Sequence, residues 1–133
     1  MSKKRKIVMI GSIFLVLALI VAFGVWKQVE SNLETLKETP LTRIDFSRVA
    51  DGAYRGEYSI FPVSAEVEVT ISGGTIKEIE IVKHGHGRGE EGEKVAERVL
   101  QAESLEVDTV SGATYSSLVI LKAIEQALLK AEM

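Results

Sequence analysis

Apolar and polar residues alternate without a break over residues 63–71, where Val63, Ala65, Val67, Val69 and Ile71 are separated by Ser64, Glu66, Glu68 and Thr70. A period of two puts the first set on one face of a strand and the second set on the other, so the pattern predicts a half-buried strand. Gly73-Gly74 follows, and two glycines that tolerate positive φ predict a tight hairpin. Ile79 and Ile81 mark the returning strand, with Glu78 and Glu80 facing water. An earlier strand is expected over residues 54–61, opened by the turn signal Asp51-Gly52. The period then lengthens. Val95, Ala96, Val99 and Leu100 form the stripe of a short helix, and Leu118, Leu121, Ile124 and Leu128 that of a final one. The polar face of the final helix holds Lys122, Glu125 and Lys130. Between β and α patterns, HGHGRGEEG reads as a charged, Gly-rich loop.

Residues 7–26, IVMIGSIFLVLALIVAFGVW, show no period because they carry no charge at all. As a helix this run would be about 30 Å long, the thickness of a bilayer's hydrocarbon core. A cleaved signal peptide is the competing reading. The apolar region is longer than such peptides use, and no small-x-small cleavage site precedes Lys27. An uncleaved anchor is therefore favoured. Lys3, Lys4, Arg5 and Lys6 should remain in the cytoplasm, which places everything after Trp26 on the extracytoplasmic side. Val29, Leu33 and Leu36 predict a stalk helix that stops before Pro40. The expected organisation is 1–27 as basic tip and transmembrane anchor, 28–40 as stalk and 41–133 as the folded domain. Strands first and helices after predict an α+β class: a small antiparallel sheet with helices on one face, preceded by a single transmembrane helix.

The 133 residues carry a net charge of -3, but the charge is unevenly placed. From Gln28 onward, eleven basic residues face nineteen acidic ones, a net −8. Such a domain should avoid nucleic acid. The absence of cysteine excludes thiolate metal sites, iron–sulfur clusters and a catalytic thiol. His84 and His86, as His-x-His, lack a clear third ligand, and no metal site is expected.

The remaining chemistry lies in VDTVSGATYSS, just before the final helix. Asp108, Ser111, Thr114 and Ser116 are all capping residues, and Gly112 allows a sharp turn. A plain helix cap is the favoured reading of this local pattern. The same unpaired amides and helix dipole also make an anion site, well suited to a phosphate. Neither a Walker loop nor GxGxxG is present.

Taken with IDFSRVADGAYRGEY, the hairpin and IVKHGHG, the stretch DTVSGATYSSLVILKAIEQAL resembles the FMN-binding domain family over residues 44–129. The family includes flavin-carrying subunits of the sodium-translocating NADH:quinone oxidoreductase and of the related ferredoxin-dependent complex. Asp108, Ser111, Gly112, Ala113 and Thr114 match its flavinylation motif, Asp-x-x-Ser/Thr-Gly-Ala-Thr. The resemblance implies FMN bound covalently, as a phosphodiester on Thr114 installed by a separate flavin transferase. It implies that Asp108 is the acidic residue the transferase requires and that His84 lies close to the flavin. Ser116 and Ser117 are candidates for further bonds to the phosphate. Tyr54, Tyr58 and Tyr115 are candidates to cover the ring, although such aromatics more often pack in a core. The implied function is a membrane-anchored electron carrier between a membrane donor and an extracytoplasmic acceptor. The rival readings are a flavin-dependent reductase of a small acceptor and a non-catalytic binding or assembly module.

Overall fold

The computed structural model describes residues 2–85 and 90–131. The first helix, α1 (Lys3–Glu38), is continuous from the apolar run through the stalk. Its apolar run is exposed along its length, and the helix is long and apolar enough to cross a membrane. It ends one residue before Thr39-Pro40, as expected of a helix that meets proline. Strands β1 (Gly52–Ile60), β2 (Val63–Ser72) and β3 (Thr75–Gly85) form an antiparallel sheet in the order β1-β2-β3. Two helices follow, α2 (Val95–Ala102) and α3 (Thr114–Ala131). The architecture is α+β, as the order of periodicities predicts.

Helix α3 lies across the sheet, and Val67, Val69, Ile71, Ile120, Ile124 and Leu128 close the core between them. Burying each such side chain contributes about 1.5–3 kcal/mol. The two layers meet most closely at Gly56. A Cβ built there would lie 2.1 Å from the carbonyl oxygen of Ala123 and 2.4 Å from the amide nitrogen of Ala127. Only glycine in β1, opposite alanines in α3, lets the two backbones approach this far.

Two details depart from the alternation. β3 pairs with β2 through two register shifts, between Glu66 and Val67 and between Thr70 and Ile71. Lys77 and Val82 are the extra residues, since Ile76 faces Ile71, Ile79 faces Val69, Ile81 faces Val67 and His84 faces Ala65. Each inserted residue reverses the parity of those that follow. Simple alternation from Glu78 and Glu80 would turn His84 to water. The bulge at Val82 turns it to the core face instead, and His84 and Gly85 belong to the strand rather than to the loop expected of HGHGRGEEG. The last three residues of that stretch, 90–92, open a 3-10 turn, Glu90–Lys94. His86 lies outside the described residues.

The second departure concerns the polar face of α3. Lys122 and Glu125 are buried, 6% and 4% exposed, beneath the strap of residues 39–42 that leaves α1. Lys122 Nζ lies 3.5 Å from Glu125 Oε1 and donates to the carbonyl of Pro40 at 3.3 Å. The amide of Thr42 donates to Glu125 Oε2 at 2.6 Å. Amphipathic spacing assigned both residues to a polar face, but periodicity cannot reveal a strap that returns over that face.

Glycine positions separate two kinds of strain. Gly56→Ala should cost about 3 kcal/mol, because the new methyl meets backbone on both sides and cannot be accommodated by a rotamer change. Gly112→Ala should cost only about 1 kcal/mol, from the left-handed conformation alone. Gly112 has φ +80° with open space beside it. Equilibrium unfolding of the two purified variants in detergent should rank them in this order.

Candidate functional site

The first turn of α3 is set by a chain reversal over residues 110–113. The amide of Ala113 donates to the carbonyl of Val110 at 2.9 Å, with Gly112 at positive φ in the third position, as a type II turn requires. The amide of Ser117 donates to the carbonyl of Ala113 at 2.9 Å. That carbonyl accepts the first bond of the helix, so Ala113 holds the cap position and Thr114 is the first helical residue. A hydroxyl from inside the helix ties the turn to its first residues. Ser117 Oγ accepts from the amide of Val110 at 3.0 Å and donates to the carbonyl of Ala113 at 2.7 Å. The expectation that Thr114 could serve as the cap is thereby corrected.

The approach to this turn is braced from α2. Arg98 Nη1 donates to the carbonyls of Asp108 and Thr109 at 2.8 and 2.9 Å. The Asp108 residue itself is exposed, on the rim of an open groove shared with Arg98, Gln101 and Glu106. Ser111 and Gly112 are exposed, Ala113 is buried and Thr114 is half-buried. Ser116 and Ser117 are both buried, so neither hydroxyl faces solvent.

Beneath the turn, the His84 imidazole is 2% exposed, and its Nε2 lies 3.1 Å from Ser116 Oγ. Its Nδ1 is 3.9 Å from Glu93 Oε2, too long for a hydrogen bond but close enough for charges to interact. Gly92 makes room for this packing, because a Cβ there would sit 2.7 Å from Ser116 Cβ. Serine, histidine and carboxylate thus stand in the order of a nucleophile, a base and an orienting acid. A Ser116 that is 2% exposed within a helix offers no substrate access, and a 3.9 Å gap orients nothing.

Tyr115 fixes the other side of the turn. Its hydroxyl donates to the carbonyl of Phe61 at 2.5 Å, and Asn32 Nδ2 donates to the same carbonyl at 2.8 Å. Burial holds the phenol above its ordinary pKa, a hydrogen bond with Asn32 opposes that, and nearby Tyr58 adds to it. Tyr54, Tyr58 and Tyr115 all pack against the core. Tyr54 bonds to the carbonyl of Ala50 at 2.8 Å. It stands six residues, or about 20 Å, from the Ile60 end of β1 where Tyr115 binds, so it is far from the turn.

The structure therefore brings Thr114, Tyr115, Ser116 and His84 together around one helical turn, with Ser111, Gly112 and Ala113 forming its approach. The side chain of Asp108 stands apart. Sequence reasoning missed Arg98, Gly92, Glu93 and Asn32, whose roles depend on contacts between distant parts of the chain. Among the described residues, no group of three or more His, Asp and Glu side chains is arranged to hold a metal ion.

Residues 63–129, half of the chain and all of this turn, match the FMN-binding domain family. The chain belongs to that family. No curated protein and no solved structure matches it. The donor set suits the phosphate of FMN. The amides of Thr114, Tyr115 and Ser116 precede the first intrahelical donor, and the helix dipole favours an anion before them. The space beside Gly112 is open. By contrast, the open cleft of about 620 Å³ on the sheet is lined by Glu57, Glu66 and Lys83, two acidic groups against one basic, and is the less favourable place for a phosphate.

A raised phenol pKa has a defined effect on stability. Between the unfolded value near pH 10 and its higher folded value, the native state binds more protons than the unfolded chain, so stability falls as pH rises there. Tyr115→Phe should lose about 1 kcal/mol at neutral pH with the bond to Phe61. Above about pH 10 it should lose less further stability than the parent protein does. Unfolding midpoints measured across that range check both statements.

Proposed function

We propose that the protein is a membrane-anchored electron carrier with FMN joined covalently, through a phosphodiester, to Thr114. One observation carries the reading: Thr114 stands half-buried and accessible at the first position of α3, while the hydroxyls of Ser116 and Ser117 that follow it are turned inward. FMN, when bound, takes up and releases one or two electrons, and the chain supplies attachment, orientation and charge balance. The Thr114 hydroxyl would carry the ester, its oxygen replacing a leaving group on the phosphate of an activated flavin nucleotide held by a separate flavin transferase that requires Asp108. The first-turn amides hold the remaining phosphate charge. The Tyr115 bond to Phe61 keeps the attachment point from swinging, and Arg98 keeps the approach to it in shape. His84, paired with Ser116 through Nε2, places a titratable group beneath the same turn, where it can balance charge gained on reduction.

The carrier reading extends to partners. Residues 7–26 anchor the protein with its N-terminus in the cytoplasm, and the domain passes electrons from a membrane donor to an extracytoplasmic acceptor. Covalent attachment suits that placement, since FMN lost outside the cell would be diluted away. A reporter that is active only after export should be active when fused behind Met133. Activity of a reporter confined to the cytoplasm would reverse the orientation.

Thr114→Ala separates folding from function. With the cap position held by Ala113, loss of the hydroxyl should change stability by no more than about 0.5 kcal/mol. The variant should be folded by circular dichroism yet carry no flavin when co-expressed with the transferase, as read by intact mass. A flavin adduct on folded Thr114→Ala would place the attachment elsewhere. A wild-type protein without the adduct would remove the main support for a carrier.

A further inference from the structure

Outside α1, Phe61 is the one large apolar side chain among the described residues that stands exposed, at 59%. It sits with Pro62 at the tip of the hairpin joining β1 to β2. Elsewhere after α1 the large apolar side chains among the described residues are buried or half-buried. A single exposed aromatic is ordinary on a protein surface, so its meaning depends on where the tip stands.

The position of the tip is fixed by its contacts with α1. The Phe61 carbonyl is held by Asn32 of α1 and Tyr115 of α3, which puts residues 32 and 115 at one level. Leu36, Lys37, Pro40 and Leu41 share a cavity with Leu118 and Lys122, and Lys122 bonds to Pro40. Levels 32, 36 and 40 on one element thus match 115, 118 and 122 on the other. The two helices run in the same direction. Going back along α1 toward its apolar run therefore leads to the N-terminus of α3 and to the hairpin tip.

Asn32 lies six residues beyond Trp26, about 9 Å along a helix. The headgroup region on each side of a bilayer is roughly 5–8 Å thick. With Trp26 at the edge of the hydrocarbon core, the tip stands at the outer boundary of the headgroups. The charge pattern agrees. Residues 58–65 carry no charge, nor do residues 109–121, although the exported part as a whole is net −8. Glu90, Glu91 and Glu93 belong to the turn that packs on Ser116, about 100° around α3 from Tyr115.

We propose that the Phe61–Pro62 tip is a second membrane contact, resting on the outer edge of the lipid headgroup layer, which holds the N-terminus of α3 toward the bilayer. This rests on α1 being a membrane anchor and specifies the side from which Thr114 would meet a donor: a partner within or on the membrane.

The test uses full-length protein in neutral phosphatidylcholine vesicles. Phe61→Trp in a Trp26→Phe background leaves one indole, at the tip. A parallel variant, Ser72→Trp in the same background, puts the indole at the opposite, exposed end of β2, about 30 Å away. Lipids brominated near the headgroup should quench the Phe61→Trp indole and leave the Ser72→Trp indole unaffected, while aqueous iodide should do the reverse. Equal responses from the two would mean a domain that tumbles on its anchor, and would overturn the proposal. Shielding of the tip in native membranes but not in pure lipid would overturn it in favour of a protein partner. Flotation in a density gradient is read on the same samples. Protein that fails to float with vesicles defeats the anchor reading, whereas floating protein with an iodide-quenched tip defeats this inference alone.

Discussion

The near-contact of β1 and α3 at Gly56 sets the height of the helix above the sheet, and the rest of the arrangement follows from that height. With backbone against backbone, Ala123 and Ala127 fill the gap that larger side chains would otherwise hold open. The first turn of α3 is then low enough for Ser116 to reach His84 on β3 and for Tyr115 to reach the β1–β2 tip. A helix raised by one methyl would lose both contacts, since hydrogen bonds of 2.5 to 3.1 Å tolerate little displacement. A glycine in the middle of a strand, far from the motif in sequence, thus governs the geometry of the motif.

The turn itself is stiff because its polar groups are satisfied from several directions. Ser117 closes the loop from within the helix and Arg98 closes it from α2. The buried Ser117 hydroxyl, with both roles filled, cannot rotate toward a ligand without leaving the Val110 amide orphaned, which costs about 1–3 kcal/mol. The hydroxyls available to outside chemistry are consequently those of Ser111 and Thr114. Of Ser111, Thr114, Ser116 and Ser117, the fold turns the last two inward, one onto His84 and one onto the turn, and leaves the first two accessible.

Much of this was readable from the order of residues, and the failures have common causes. The strand over residues 63–71, the Gly73-Gly74 hairpin and the apolar stripe of α3 follow from local periodicity, and each stands where the pattern put it. The side of β3 on which His84 lies could not be read, because the bulge at Val82 changes parity without any glycine or proline to announce it. The burial of Lys122 and Glu125 could not be read either. Their spacing is that of a solvated face, and what covers them is a strap eighty residues earlier in the chain. The motif was visible as a motif, but its bracing by Arg98 and Gly92 depends on tertiary contacts that no short window contains.

That buried pair bears on how the domain sits on its helix. Burying two opposite charges is a poor way to gain stability, since the desolvation penalty consumes most of the attraction. Its value lies in direction. Glu125 accepts the amide of Thr42 while Lys122 takes the carbonyl of Pro40, so the strap fits in one orientation and one register. Together with Asn32 on Phe61, this gives α1 two separate attachments to the domain, one at each end of an eight-residue interval. A single attachment would permit rotation about it, whereas two fix the helices in parallel. The orientation of Thr114 relative to the apolar run is therefore a property of the fold, set by polar groups whose loss would leave a buried charge unpaired.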